Sequence, residues 1–190
     1  GTDIAIPRLP VDAGSLVLRA TDSLKLDGRL DMKAAPGGRG GMLDIAAQKI
    51  AVVGAGQDGS ALRAQGYLVI DAASLSNTGA ASLLIGGVRT GDPLGMRVEV
   101  TASDIVVRND GQSALSGPEL ILAASGQVTV ESGSVLTARG GTASTGSLVI
   151  APQAKAIYTD PDGWLDDNYD GVIDAKDALD DVLTAKARDW

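Results

Sequence analysis

The chain of 190 residues has no cysteine and no histidine. The first absence rules out disulfides and thiolate metal sites; the second rules out imidazole bases, His-ligated zinc and the Ser-His-Asp, Cys-His and HExxH constellations. Phenylalanine is also missing and aromatics make up only 3% of the residues, while glycine occurs 25 times. Such a composition reads as aliphatic strands joined by many tight turns. No apolar run reaches the eighteen or so residues of a membrane span, and residues 1–12 do not form a charged-then-apolar signal. Starting in mid-pattern at Gly1, the sequence reads as a segment of something longer.

Basic character is lacking too. The net charge is −8, and residues 158–190 hold ten aspartates against Lys176, Lys186 and Arg188, which accounts for all but one of those charges. Neither half carries the basic footprint of a nucleic-acid-binding protein.

What is present is an internal repeat. LVLRATDSLKL (Leu16 to Leu26), LDIAAQKIAV (Leu43 to Val52), LVIDAASLSN (Leu68 to Asn77), VEVTASDIVV (Val98 to Val107) and LILAASGQVTV (Leu120 to Val130) share one grammar, and LVIAP begins it again at Leu148. In each unit the first, third and fifth positions are apolar, and the fifth is always alanine: Ala20, Ala47, Ala72, Ala102 and Ala124. Period two places these on one face of a strand; the mixed residues between them, such as Asp44 and Glu99, suit a face in water. The units start 27, 25, 30, 22 and 28 residues apart, which leaves room for two or three short strands each but not for a helix per unit. The spacing predicts an all-β fold, a parallel β-helix over residues 1–152 whose like positions stack into aliphatic ladders. An antiparallel β-sandwich also gives alternating strands and glycine turns, but has no reason to repeat alanine at one position. The repeat stops after Pro152, which sets 153–190 apart as a second, acidic unit.

One stretch mimics a dinucleotide fingerprint: Gly54, Gly56 and Gly59 follow an apolar strand, with Asp71 further on. A nucleotide site needs a helix long enough to cross back over the sheet, and only Ser60 to Gln65 lie before the next glycine. These glycines are expected to be a joint instead.

The specific motif lies in the acidic unit. Asp166-Asp167-Asn168-Tyr169-Asp170-Gly171-Val172-Ile173-Asp174-Ala175-Lys176-Asp177 follows the pattern D-x-N-x-D-G-x-I-D-x-x-D. Ca2+ takes six to eight hard oxygens, and the alternation of Asp166, Asn168 and Asp170 turns three side chains toward one centre. Gly171 permits the sharp turn, Val172 is expected to give its backbone carbonyl, Asp174 to act directly or through water, and Asp177 to close the shell. The competing reading is a solvated acidic turn. Position twelve is aspartate, one methylene shorter than the usual glutamate. Upstream, Asp160 and Asp162 are either a second, partial contact or part of a turn. From Ala175 onward Leu179, Val182, Leu183 and Trp190 fall on one side of an amphipathic helix.

The loop resembles those of dockerin modules and EF-hands, over about residues 160–188. The repeats GSLVLRATDSLKLDGRL, GYLVIDAASLSNTGAASLLIGGVR and LSGPELILAASGQVTVESGSVLTARGG resemble the large filamentous-haemagglutinin-type bacterial exoproteins, over about residues 11–151. That second resemblance implies a right-handed β-helix, two-partner secretion through an outer-membrane partner, a secreted or cell-surface location and a role in adhesion. It brings no catalytic residues. The expectation is therefore a structural, adhesive segment without enzymatic activity, stabilised by Ca2+. The alternatives are a dockerin-like module binding a protein receptor on a β-helical carrier, or a polysaccharide-active enzyme. The last would need clustered carboxylates, and Asp44, Asp71 and Glu99 stand at different repeat positions. Stacking on sugars would need exposed rings, of which the repeats contain only Tyr67.

Overall fold

The computed structural model describes residues 13–20, 30–38, 40–92, 95–140, 147–151, 155–159, 172–173 and 188–189. Within them, aliphatic strands build three sheets that lie face to face. The first contains β1 (Ser15–Arg19), β2 (Met42–Ala46), β5 (Ser82–Ile85), β10 (Leu120–Ala124) and β14 (Lys155–Thr159), in the order β1-β2-β5-β10-β14. The second runs β16-β11-β8-β3-β4, from β16 (Arg188–Asp189), β11 (Gln127–Val130), β8 (Asp104–Arg108), β3 (Lys49–Val53) and β4 (Leu68–Asp71). The third is β15-β13-β7-β6, from β15 (Val172–Ile173), β13 (Ser147–Ala151), β7 (Gly95–Val100) and β6 (Gly87–Asp92). A two-stranded pair joins β9 (Leu115–Gly117) to β12 (Leu136–Ala138). Two one-turn helices, α1 (Ser60–Ala64) and α2 (Ala72–Ser76), flank β4.

The parallel β-helix expected from the repeat is not what forms. The structure has several small sheets of mixed direction, with antiparallel pairs β6–β7, β10–β14, β11–β16 and β13–β15, and they do not make a solenoid. The repeat units do not stack in order. Those beginning at Leu16, Leu43 and Leu120 lie in the first sheet, the Leu68 unit forms the edge of the second, and the Val98 and Leu148 units pair in the third. Spacing between partners is correspondingly uneven: Ile50 pairs with Leu68 on one side and with Ile105 on the other. The physical reason is that alternation fixes which side chains share a face, not which strand lies alongside.

Where pairing is parallel, like positions do line up. Leu16, Leu43, Leu83 and Leu120 form one row of the first sheet; Leu18, Ile45, Ile85 and Leu122 form the next. These rows meet Ile50, Val52, Ile105, Val107, Val128 and Val130 of the second sheet in the main core, together with Ala47, Ala72, Ala102 and Ala124. Alanine recurs because the chain leaves its strand there while still facing this core.

Around β5 and β10 the opposite face of the first sheet is also dry, contrary to expectation, while Val17 of β1 stays exposed. Leu84, Ile121 and Ala123 pack against Val98 and Ile150 of the third sheet. The β6–β7 hairpin makes this possible by folding back over β2 and β5. A third, smaller cluster lies on the far side of the second sheet, where Leu62 of α1 covers Ala51, Val53 and Val106.

Candidate functional site

Burying both faces of the first sheet strands Asp44 in the interior, where its side chain is 2% exposed. It occupies the row Val17, Asp44, Leu84, Ile121. Arg89 reaches it from the hairpin: Nε donates to Asp44 Oδ1 at 2.7 Å and the Arg89 backbone N–H donates to Oδ2 at 2.9 Å. The guanidinium, 4% exposed, also donates to the carbonyls of Leu43 and Ser82 and to the Ser82 hydroxyl, which in turn donates to Glu119. A buried charge is tolerated when it is paired and hydrogen-bonded. Asp44 and Arg89 are both, and the network locks the hairpin onto the first sheet.

The other acids singled out by the repeat have similar duties. Asp71 caps α2, accepting from Ser74 N–H at 2.8 Å, and Glu99 accepts from Arg97 Nε at 2.8 Å on the surface. Arg108 grips Glu131 with two bonds, of 2.7 and 2.8 Å, and donates to the Asp58 carbonyl at 2.7 Å. Glu131 raises the Arg108 pKa, chiefly through these hydrogen bonds. Tyr67 packs on the outer apolar cluster, with Lys49 Nζ 5.0 Å from the ring centre; burial and then Asp104 push its hydroxyl upward.

The fingerprint glycines are a joint, as expected. A Cβ on Gly54 would lie 2.2 Å from Ser113 Oγ, Gly56 sits at φ +81°, and a Cβ on Gly59 would meet Val69 at 3.0 Å. The crossover from β3 to β4 contains the five-residue α1, and Asp71 is held by its cap. The spacing left no room for a helix in each unit; among the described residues α1 lies between β3 and β4, and α2 between β4 and β5.

Two exposed turns bear on acid stability. Asp58 accepts from the Ser60 N–H and hydroxyl, and Asp110 from the Ser113 hydroxyl and N–H; these bonds lower both carboxyl pKa values below 3.8. A carboxyl depressed in the folded state contributes stability that is present above its unfolded pKa and lost as pH falls through the folded one. Urea midpoints are therefore expected to drop below about pH 4, and to drop less in Asp58→Asn/Asp110→Asn.

The predicted metal ligands fall mostly outside the described residues: Asp166, Asn168, Asp170, Asp174 and Asp177 do, as do Asp160 and Asp162. Val172 is described as backbone, paired with Val149, while Ile173 pairs with Leu148. The predicted helix from Ala175 does not extend through its end, because Arg188–Asp189 is a strand on β11. Among the described residues no group of three or more carboxylates could hold a metal ion.

A feature with no sequence signal is a cleft of about 240 Å³ where α2 meets the β9–β10 turn. Leu75, Ala80, Leu83 and Pro118 form its apolar lining, and Lys33 and Arg139 bring two cations from far apart in the chain. Ser76 Oγ stands 2.9 Å from the Ala72 carbonyl and 3.1 Å from that of Ala114 and accepts from the Ser116 N–H, and Thr78 Oγ1 donates to Leu75. Lys33 and Arg139 are the charged groups of the lining. No local spacing connects residues 33 and 139, just as none connects Asp44 with Arg89.

Compared with protein-family models, with curated proteins and with solved structures, the chain matches none.

Proposed function

We propose that the chain is a structural and adhesive segment of a secreted or cell-surface bacterial exoprotein, delivered through an outer-membrane secretion partner and stabilised by Ca2+ at residues 153–190. The observation that carries the non-catalytic part is the employment of the acids. Asp44 is buried against Arg89, Asp71 caps α2 and Glu99 pairs with Arg97 on the surface, so the three acids are engaged in separate places. The Lys33–Arg139 cleft offers a contact for an anionic partner.

The donor chemistry supports Ca2+ in the tail. Asp166, Asn168, Asp170, Asp174 and Asp177 supply hard oxygens within twelve residues, joined by the Val172 carbonyl. Bound Ca2+ would supply charge neutralisation, and the chain's part is to bring these oxygens together. Linkage then stabilises the ordered tail, by about 2.7 kcal/mol with the ion at a hundred times its Kd. Pairing of Val172–Ile173 and Arg188–Asp189 with this chain's own sheets favours docking within the molecule over a dockerin-like receptor contact.

Titration calorimetry of the full chain tests the reading. Saturable heat from one class of site is expected, and its loss in Asp170→Ala; no heat with the unaltered chain sinks the proposal.

A further inference from the structure

The cleft where α2 meets the β9–β10 turn, about 240 Å³ in volume, is walled by segments far apart in the chain. Backbone bonds set its rim. Met32 N–H donates to the Thr78 carbonyl at 2.7 Å and so brings Lys33 to the end of α2; Arg139 N–H donates to the Gly117 carbonyl at 2.7 Å and so brings Arg139 to the β9–β10 turn. Gly79, at φ +70°, leaves room for the lysine stem, since a Cβ there would stand 3.2 Å from Lys33 Cε and closer still to its Cγ. The charges of the cleft are of one sign, with no Asp or Glu in the lining. Among the described residues no carboxylate pairs with the Lys33 or Arg139 side chain. Asp31 accepts from the Lys33 backbone N–H, and Glu119, next to Pro118, is turned to Ser82 and Arg89.

We propose that this cleft binds a small aliphatic carboxylate, its charge met by Lys33 and Arg139 and its hydrocarbon laid against Leu75, Ala80, Leu83 and Pro118. This ligand rests on the anionic contact assigned to the cleft above and gives that contact a chemical class. A bare inorganic anion would leave the apolar wall uncovered, and a neutral hydrocarbon would leave both cations without a partner. No aromatic ring lines the cleft, so a nucleobase or a sugar has nothing to stack on. The volume lies below the roughly 300–1,000 Å³ of sites for drug-sized ligands, which limits the hydrocarbon to a short chain. The Arg139 guanidinium matches a carboxylate with two parallel N–H groups, and Lys33 adds a point charge.

Amide NMR of the full chain, without added Ca2+ and at about pH 7 where carboxylates are ionised, tests this with hexanoate, hexanol and inorganic phosphate as probes. Saturable shifts of the Ser76, Gly79, Gly117 and Arg139 amides are expected with hexanoate, at a Kd about tenfold or more below those for hexanol and phosphate. Lys33→Gln/Arg139→Gln alters two exposed side chains and is expected to weaken hexanoate about tenfold while leaving hexanol unchanged. Hexanol binding as tightly as hexanoate overturns the proposal, as does a Kd for hexanoate that the double variant leaves unchanged. Phosphate binding as tightly as hexanoate, or more so, overturns the aliphatic ligand and leaves the anionic contact standing. No shift with either anion overturns both.

Discussion

Replacing Gly86 with alanine is expected to cost about 4 kcal/mol or more, among the largest effects of any single substitution in this chain. Gly86 is where the chain leaves the first sheet for the third: its N–H donates to the Ile45 carbonyl, and its carbonyl accepts from Thr101 and Ala102. Its φ of +104° already disfavours any side chain, and a Cβ there would stand 2.0 Å from the Ala123 carbonyl oxygen and 2.8 Å from Ile105 Cδ1. A carbonyl inside a paired strand cannot step aside without opening β5–β10. Gly56 supplies the control, at φ +81° with nothing near its Cβ position; alanine there should cost only about 1–2 kcal/mol. For a chain of this length each kcal/mol lowers Tm by roughly 2–4 °C. The two variants should therefore differ clearly in thermal unfolding, and equal melting temperatures would contradict the close approach.

Arg89→Met is expected to destabilise by about 3–5 kcal/mol, because it leaves the Asp44 carboxylate buried without its cation. Asp44→Leu alone should cost a comparable amount by stranding the guanidinium. The double variant Asp44→Leu/Arg89→Met removes both charges from a site bordered by Leu84 and Val17, and is expected to recover most of the loss. Denaturant unfolding of the cycle measures this, with a large interaction energy as the signature. Additive losses would mean that the pair does not act as a unit.

These two positions also show how far the sequence was legible. Alternation placed Leu16, Leu43 and Leu120 on a shared face, and the recurring alanines all reach one core. It could not place Leu68, Val98 and Leu148, since a strand's own pattern is blind to its neighbour. The alternation also marked Asp44 as a solvent-facing residue. Its burial depends on the β6–β7 hairpin, and the cation that neutralises it lies 45 residues away. Gly86 and Gly87 carry no signal in the alternation; the nearness of the Ala123 and Glu99 carbonyls gives them their specific task. The GxGxxG stretch was readable for the opposite reason, because chain length alone limits the helix between Gly59 and Gly66. The D-x-N-x-D-G pattern stands out in the sequence because its residues are contiguous; Asp166, Asn168, Asp170, Asp174 and Asp177 lie outside the described residues.

Hydrogen exchange of the full chain with Ca2+ and with excess chelator tests most directly the proposal that Ca2+ orders the acidic segment upon the described sheets. Slower exchange with Ca2+ over residues 153–190 and in β13, with β2, β3, β5 and β8 unchanged, is the predicted result. The same exchange throughout in both conditions would contradict it.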